Sequence, residues 1–115
     1  MIHIRSSKEI KKITKACQIV KDALNLIEKE ISAGITTLEL DKIAEDFIVS
    51  KGAKPGFKGL YGYPATLCVS IEEEVVHGIP TNRILEFLDT RSSINFRALL
   101  KLSAVFSKLI ICSFL

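Results

Sequence analysis

One histidine, His77, stands between the apolar pair Val75-Val76 and the turn-forming run Gly78-Ile79-Pro80. A neutral imidazole both donates and accepts a hydrogen bond near neutral pH, so this setting could offer it to a polar substrate group. A histidine ending a strand often serves only structure or surface. Here the apolar pair would anchor the strand, Gly78 would let a ligand backbone approach, and Pro80 would fix the exit. Upstream, Tyr63 and Cys68 read on their own as a loop aromatic over the core and a small buried hydrophobe. His3 has no comparable context and reads as a surface residue. The acidic run Glu72-Glu73-Glu74 cannot chelate one ion, because adjacent strand residues point to opposite faces; these carboxylates read as solvated or hydrogen-bonded. Past Leu85 the acids are Glu86 and Asp89, and no histidine follows His77, so no residue is assigned as a metal ligand.

The elements that must position these residues are legible upstream. Ser6-Ser7-Lys8-Glu9 forms a capping signal, and Ile10, Ile13, Cys17, Val20, Leu24 and Ile27 recur at helical spacing. The opposite face, with Lys8, Lys11, Lys12, Lys15, Asp22 and Lys29, reads as solvated surface. Gly34 interrupts, and Thr36-Thr37-Leu38-Glu39 opens a second helix carrying Leu40, Ile43, Phe47 and Ile48 on one side and ending near Lys51-Gly52. From Ala53, glycines, prolines and aromatics (Pro55, Gly56, Phe57, Gly59, Tyr61, Gly62, Tyr63, Pro64) make a loop suited to ligand contact. Leu67, Val69 and Ile71 then alternate with Cys68, Ser70 and Glu72 as a half-buried strand, with Val75-Val76-His77 returning beside it. The predicted class is α+β, with two helices packed on an antiparallel sheet.

Composition narrows the function classes. The 115 residues are 48% hydrophobic, enough for one modest core. Residues 1–89 carry all 13 acids and 12 of the 16 bases, a net charge of −1, whereas residues 90–115 carry four bases and no acid. Basicity confined to the tail argues against a nucleic-acid partner, which would show a clustered basic face in the folded part. Cys17, Cys68 and Cys112 are odd in number and widely spaced, which suggests neither a disulfide framework nor a structural zinc, and fits a reducing cytoplasm. The polar start lacks the apolar core of a secretory signal.

Residues 1 to about 85 resemble the N-terminal portion of bacterial type I methionine aminopeptidases, M24-like metallopeptidases of the pita-bread fold. The residues carrying the resemblance are Ile35-Thr36-Thr37-Leu38-Glu39-Leu40-Asp41, Gly62-Tyr63-Pro64, Ser70-Ile71-x-Glu73 and Val76-His77-Gly78-Ile79-Pro80. The resemblance implies the first half of a pita-bread fold over 1–85 and removal of the initiator methionine from deformylated nascent chains when the next residue is small and uncharged. It implies a cytoplasmic, usually monomeric enzyme meeting nascent chains at the ribosome, with no membrane or nucleic-acid partner. It also implies two divalent metal ions, cobalt, manganese, iron or zinc, whose bridging hydroxide attacks the first peptide carbonyl. By the same resemblance His77 is the catalytic, substrate-contacting histidine, not a metal ligand, and Tyr63 and Cys68 line the methionine pocket, with Phe57 and Tyr61 as further neighbours. Glu72 departs from the family's usual asparagine.

Residues 86–115 do not match the pattern. Where the family continues with a Gly-Asp turn and a metal-binding aspartate, Leu88-Asp89-Thr90-Arg91-Ser92-Ser93 stands, and no ligand role passes to Asp89. The tail reads as a frameshifted or cloning-derived segment, as an amphipathic helix bearing Leu99, Leu102, Phe106, Leu109 and Ile110, or as an interfacial segment. The abrupt loss of acids fits the first. Arg97, Lys101 and Lys108 break the apolar run below the roughly 20 residues that span a bilayer. With the metal ligands missing, the 115-residue chain is expected to be an inactive fragment of an aminopeptidase lineage; the alternative is a non-catalytic relative that binds peptide ends or a protein partner.

Overall fold

The computed structural model describes residues 4–71, 74 and 77–86. Two helices dominate, α1 over Ser7–Glu30 and α2 over Thr37–Ser50, followed by a short 3-10 turn at Leu60–Gly62. Both helices open on reciprocal capping boxes. The Ser6 hydroxyl accepts from the Glu9 amide at 3.3 Å while Glu9 accepts from the Ser6 amide at 2.8 Å. Thr36 and Glu39 repeat the exchange at 3.1 and 2.7 Å. Each box satisfies amides that the first helical turn leaves without an intrahelical partner. After α1, Gly34 takes φ +98 in the connection to α2; after α2, Gly52 takes φ +73.

The helices meet over two apolar clusters. One joins Ala16, Ile19 and Ala23 of α1 to Ile48 and Ala53, with Val20 and Phe47 at its margin. The other joins Ile27 to Leu40, Ala44, Val69, Ile71 and Leu85. The buried face of α1 therefore differs from the expected stripe. Cys17 is exposed, and Ile10 and Ile13 are 53% and 46% exposed. The alanines explain the difference, since their short side chains let α2 approach while adding little to a pattern read from large residues. Residues 7–15 are exposed all round. On α2 the expected side is buried, with Leu40 and Ile48 inside and Ile43 and Phe47 partly covered.

No strand is assigned among the described residues. Val69 and Ile71 are buried as the alternation requires, but Ser70 is buried too, so the segment is covered on both faces. The returning strand falls on Val75 and Val76, which, like Glu72, Glu73, His3 and the tail from 87, lie outside the described residues. An antiparallel bridge pairs Thr36 with Ile84. Around it, segment 81–86 closes over the start of α2: the Thr37 and Leu38 amides donate to Arg83 and Thr81 carbonyls at 3.2 and 3.0 Å, and Leu85 donates to Ile35 at 2.8 Å. The Thr37 hydroxyl accepts from the Thr81 amide at 2.9 Å and donates to its carbonyl at 3.1 Å. The first-turn amides of α2 are thus all engaged by the chain itself.

Candidate functional site

Asp41 begins the construction of the site. It lies one helical turn beyond Thr37, on the line Thr37, Asp41, Ala44, Ile48 that α2 buries. Its Oδ1 accepts from the backbone amides of Thr66 and Leu67 at 2.9 and 2.6 Å, fixing the start of the segment that carries Cys68. Burial raises the Asp41 carboxyl above the ordinary carboxylate range, Glu45 adds to the rise, and the two amides and Lys58 oppose it. Lys58 pairs with Glu45 at 2.7 Å, tying the glycine-rich loop to α2.

That loop is shaped by Gly59 and Gly62 at φ +86 and +78, which flank Tyr61 at φ +50. The Gly59 amide donates to the Tyr63 carbonyl at 2.8 Å and the Tyr63 amide to Leu60 at 2.9 Å, closing a compact turn with Tyr61 fully exposed at its tip. The Phe57 and Tyr63 rings meet in a T-shaped contact at a centroid distance of 5.4 Å.

Tyr63 joins two parts of the chain. Its hydroxyl donates to the Leu67 carbonyl at 2.8 Å, with the Gly78 carbonyl a second, longer acceptor at 3.3 Å. Burial raises the phenol well above its ordinary range, and the neighbouring Cys68 thiol raises it further. Gly78 is held from three sides, its carbonyl also accepting from the Val69 amide at 2.9 Å and its amide donating to Ser70 Oγ at 3.1 Å. A Cβ on Gly78 would collide with the Val69 carbonyl and the Glu74 carboxylate. The close approach that this glycine permits is therefore made by the protein's own backbone, not by a ligand. Glu74 closes the preceding turn, accepting from the Ile71 amide at 3.1 Å and pairing with Arg83 at 3.6 Å.

His77 emerges beside this clamp, exposed and at φ +57. A left-handed histidine is uncommon backbone that persists only when its surroundings over-determine it, and such residues concentrate at functional positions. Tyr63, Cys68 and His77 are thereby brought to adjacent points of one backbone assembly. Glu74 is hydrogen-bonded, as expected for the acidic run, whereas the sequence assigns Asp41 and Ser70 no role beyond the motifs that contain them; the signal for Asp41 is a carboxylate on the helix line shared with Ala44 and Ile48.

Residues 11–105 match the model of metallopeptidase family M24. The chain belongs to this family. It is 53% identical over 85 residues to a methionine aminopeptidase of Helicobacter pylori, covering 74% of this chain and 34% of that protein. It is 44% identical over 86 residues to methionine aminopeptidase 1 of Bacillus subtilis, covering 75% and 35%. The chain thus spans about a third of the length of the curated relatives it matches. Two crystal structures of methionine aminopeptidases share its fold: that from Thermotoga maritima at a TM-score of 0.72 and 37% identity, and that from Rickettsia prowazekii at 0.71 and 31%. Each comparison covers 75% of this chain and 35% of the other.

Family M24 consists of metallopeptidases, so the donor set bears on the chemistry. Among the described residues no three His, Cys, Asp or Glu side chains converge as a metal site. Asp41 is engaged with backbone amides and Glu74 with an amide and Arg83, so neither carboxylate is set out as a ligand. These residues do not fit a metal centre. Among them, too, no helix is long and apolar enough to cross a membrane.

Proposed function

We propose that this chain is the N-terminal, substrate-recognising part of a methionine aminopeptidase, with residues 1–85 receiving the N-terminal methionine of a nascent protein and residues 86–115 a divergent tail. The left-handed, exposed His77 beside the Tyr63–Gly78 clamp carries this reading, and the methionine aminopeptidase relatives give it its substrate. Tyr63 and Cys68 flank the recess for the methionine side chain. The His77 imidazole hydrogen-bonds the scissile peptide group and steadies the charge that develops there. In this reading, strand 67–71 pairs with its return near 77 in the half-sheet of a pita-bread fold, and catalysis needs divalent metals that the described residues do not hold. On the same reading the 115-residue chain alone releases no methionine, since past Leu85 its acids are Glu86 and Asp89 and no histidine follows His77.

A chimera tests it: residues 1–85 joined to the remaining two-thirds of the Helicobacter pylori relative. With a divalent metal, the chimera should release methionine from a Met-Ala-Ser peptide, and His77→Ala should lower kcat roughly 100- to 10,000-fold. A folded chimera that turns over equally well without His77 would overturn the assignment. Binding of the peptide by a folded chimera that never turns over would instead favour the non-catalytic alternative. Turnover by the 115-residue chain itself would refute its inactivity.

A further inference from the structure

We infer that Asp41 is the positioning residue of this site: from the buried side of α2 it fixes the Thr66 and Leu67 amides and, through the Leu67–Tyr63–Gly78 linkage, sets how Cys68 and His77 are presented.

The linkage is continuous. Asp41 Oδ1 holds the Leu67 amide at 2.6 Å, the Leu67 carbonyl takes the Tyr63 hydroxyl at 2.8 Å, and the same hydroxyl reaches Gly78, the residue after His77, at 3.3 Å. The Val69 amide closes the circuit onto the Gly78 carbonyl. In a paired strand the Thr66 and Leu67 amides would donate to a neighbouring strand; here a side chain 25 residues away supplies the acceptor.

This acceptor is expensive. Asp41 is buried to 6% exposure, and burial is the largest cause of the rise in its carboxyl, so removal from water disfavours the charge that the two amides favour. The Thr66 hydroxyl, at 3% exposure, adds a second cost at the same point, for its Oγ1 has no hydrogen-bond partner among the described residues. Apolar residues on this helix line would pack α2 with less penalty, as Ala44 and Ile48 do. What they could not do is define where residues 66 and 67 begin. That definition matters because the proposed recognition of a methionine end, on which this inference rests, needs Cys68 and His77 in a fixed relation.

The test uses the 115-residue chain with Cys17→Ser and Cys112→Ser, leaving Cys68 as its sole thiol. Amide exchange at Thr66 and Leu67, the alkylation rate of Cys68 and the shifts induced by a Met-Ala-Ser peptide are compared among Asp41→Ala, Asp41→Asn, Asp41→Glu and the packing control Ile19→Ala. Asp41→Ala should speed exchange of the two amides roughly 10- to 100-fold beyond any global change and alter both Cys68 alkylation and the peptide shifts. Asp41→Asn, which keeps Oδ1, should restore them, whereas Ile19→Ala should lower the unfolding midpoint and leave all three readouts in place. If Asp41→Ala does not fold, Asp41→Glu takes its place, its longer side chain displacing the acceptor. Equal alkylation and equal peptide shifts in the folded Asp41→Ala or Asp41→Glu variant would overturn the inference, as would an Ile19→Ala effect of the same size. Loss of amide protection on Asp41→Ala, with a parent chain that binds no methionine peptide, would uphold the anchoring by Asp41 and overturn the recognition reading instead.

Discussion

Gly78 and Tyr63 bear opposite kinds of constraint on one backbone junction. At Gly78 a methyl group has nowhere to go, because the nearest atoms are the Val69 carbonyl and the Glu74 carboxylate. Gly78→Ala should cost about 1–3 kcal/mol in a urea titration, the scale of overpacking, and should abolish binding of a methionine peptide. At Tyr63 the phenolic proton is held because burial and the Cys68 thiol disfavour the phenolate. A phenol whose folded pKa is raised contributes stability below the ordinary phenol range and loses it as pH climbs through that range toward the folded value, since the unfolded chain releases its proton first. The phenolate absorbance of Tyr63, isolated by subtracting a Tyr63→Phe spectrum, should therefore appear only above the ordinary range, and wild-type stability should fall more steeply in alkali than that of the variant.

The two helices show how alike sequence signals can carry unequal weight. Both capping boxes are complete, and in both the glutamate is held below its usual range, first by the backbone amide and then by the hydroxyl of the capping residue. That contribution is present above the unfolded carboxylate pKa and is lost as pH falls through the lowered folded value, so helix content followed by circular dichroism should decline across the acid range. Their structural consequences differ. Thr36 starts a helix whose first turn is clasped by segment 81–86, and Thr36→Ala should lower global stability by about 1 kcal/mol. Ser6 starts a stretch, 7–15, that is exposed throughout, so Ser6→Ala should fray α1 locally, seen as faster amide exchange there, with little movement of the urea midpoint.

Across the molecule, α2 is the common support, with α1 on one side, segment 66–71 on another and segment 81–86 over its first turn. Leu85, 2% exposed, joins these parts because it packs with Ile27, Leu40, Val69 and Ile71. Leu85→Ala should cost about 2–5 kcal/mol and, alone among these changes, should expose the Gly34 and Leu38 amides to exchange. The amino-acid sequence by itself determined the N-terminal caps, the order of both helices, the extent of α2, the aromatic-glycine loop and the family, because each is written in neighbours a few residues apart or in contiguous motifs. Only the tertiary structure decided that α1 turns its alanines inward, that Gly78 makes room for Val69, and that Asp41 anchors the segment bearing Cys68. These choices depend on close packing and on polar partners that folding brings together from distant positions, 25 residues apart for Asp41 and Thr66. No local periodicity contains that information.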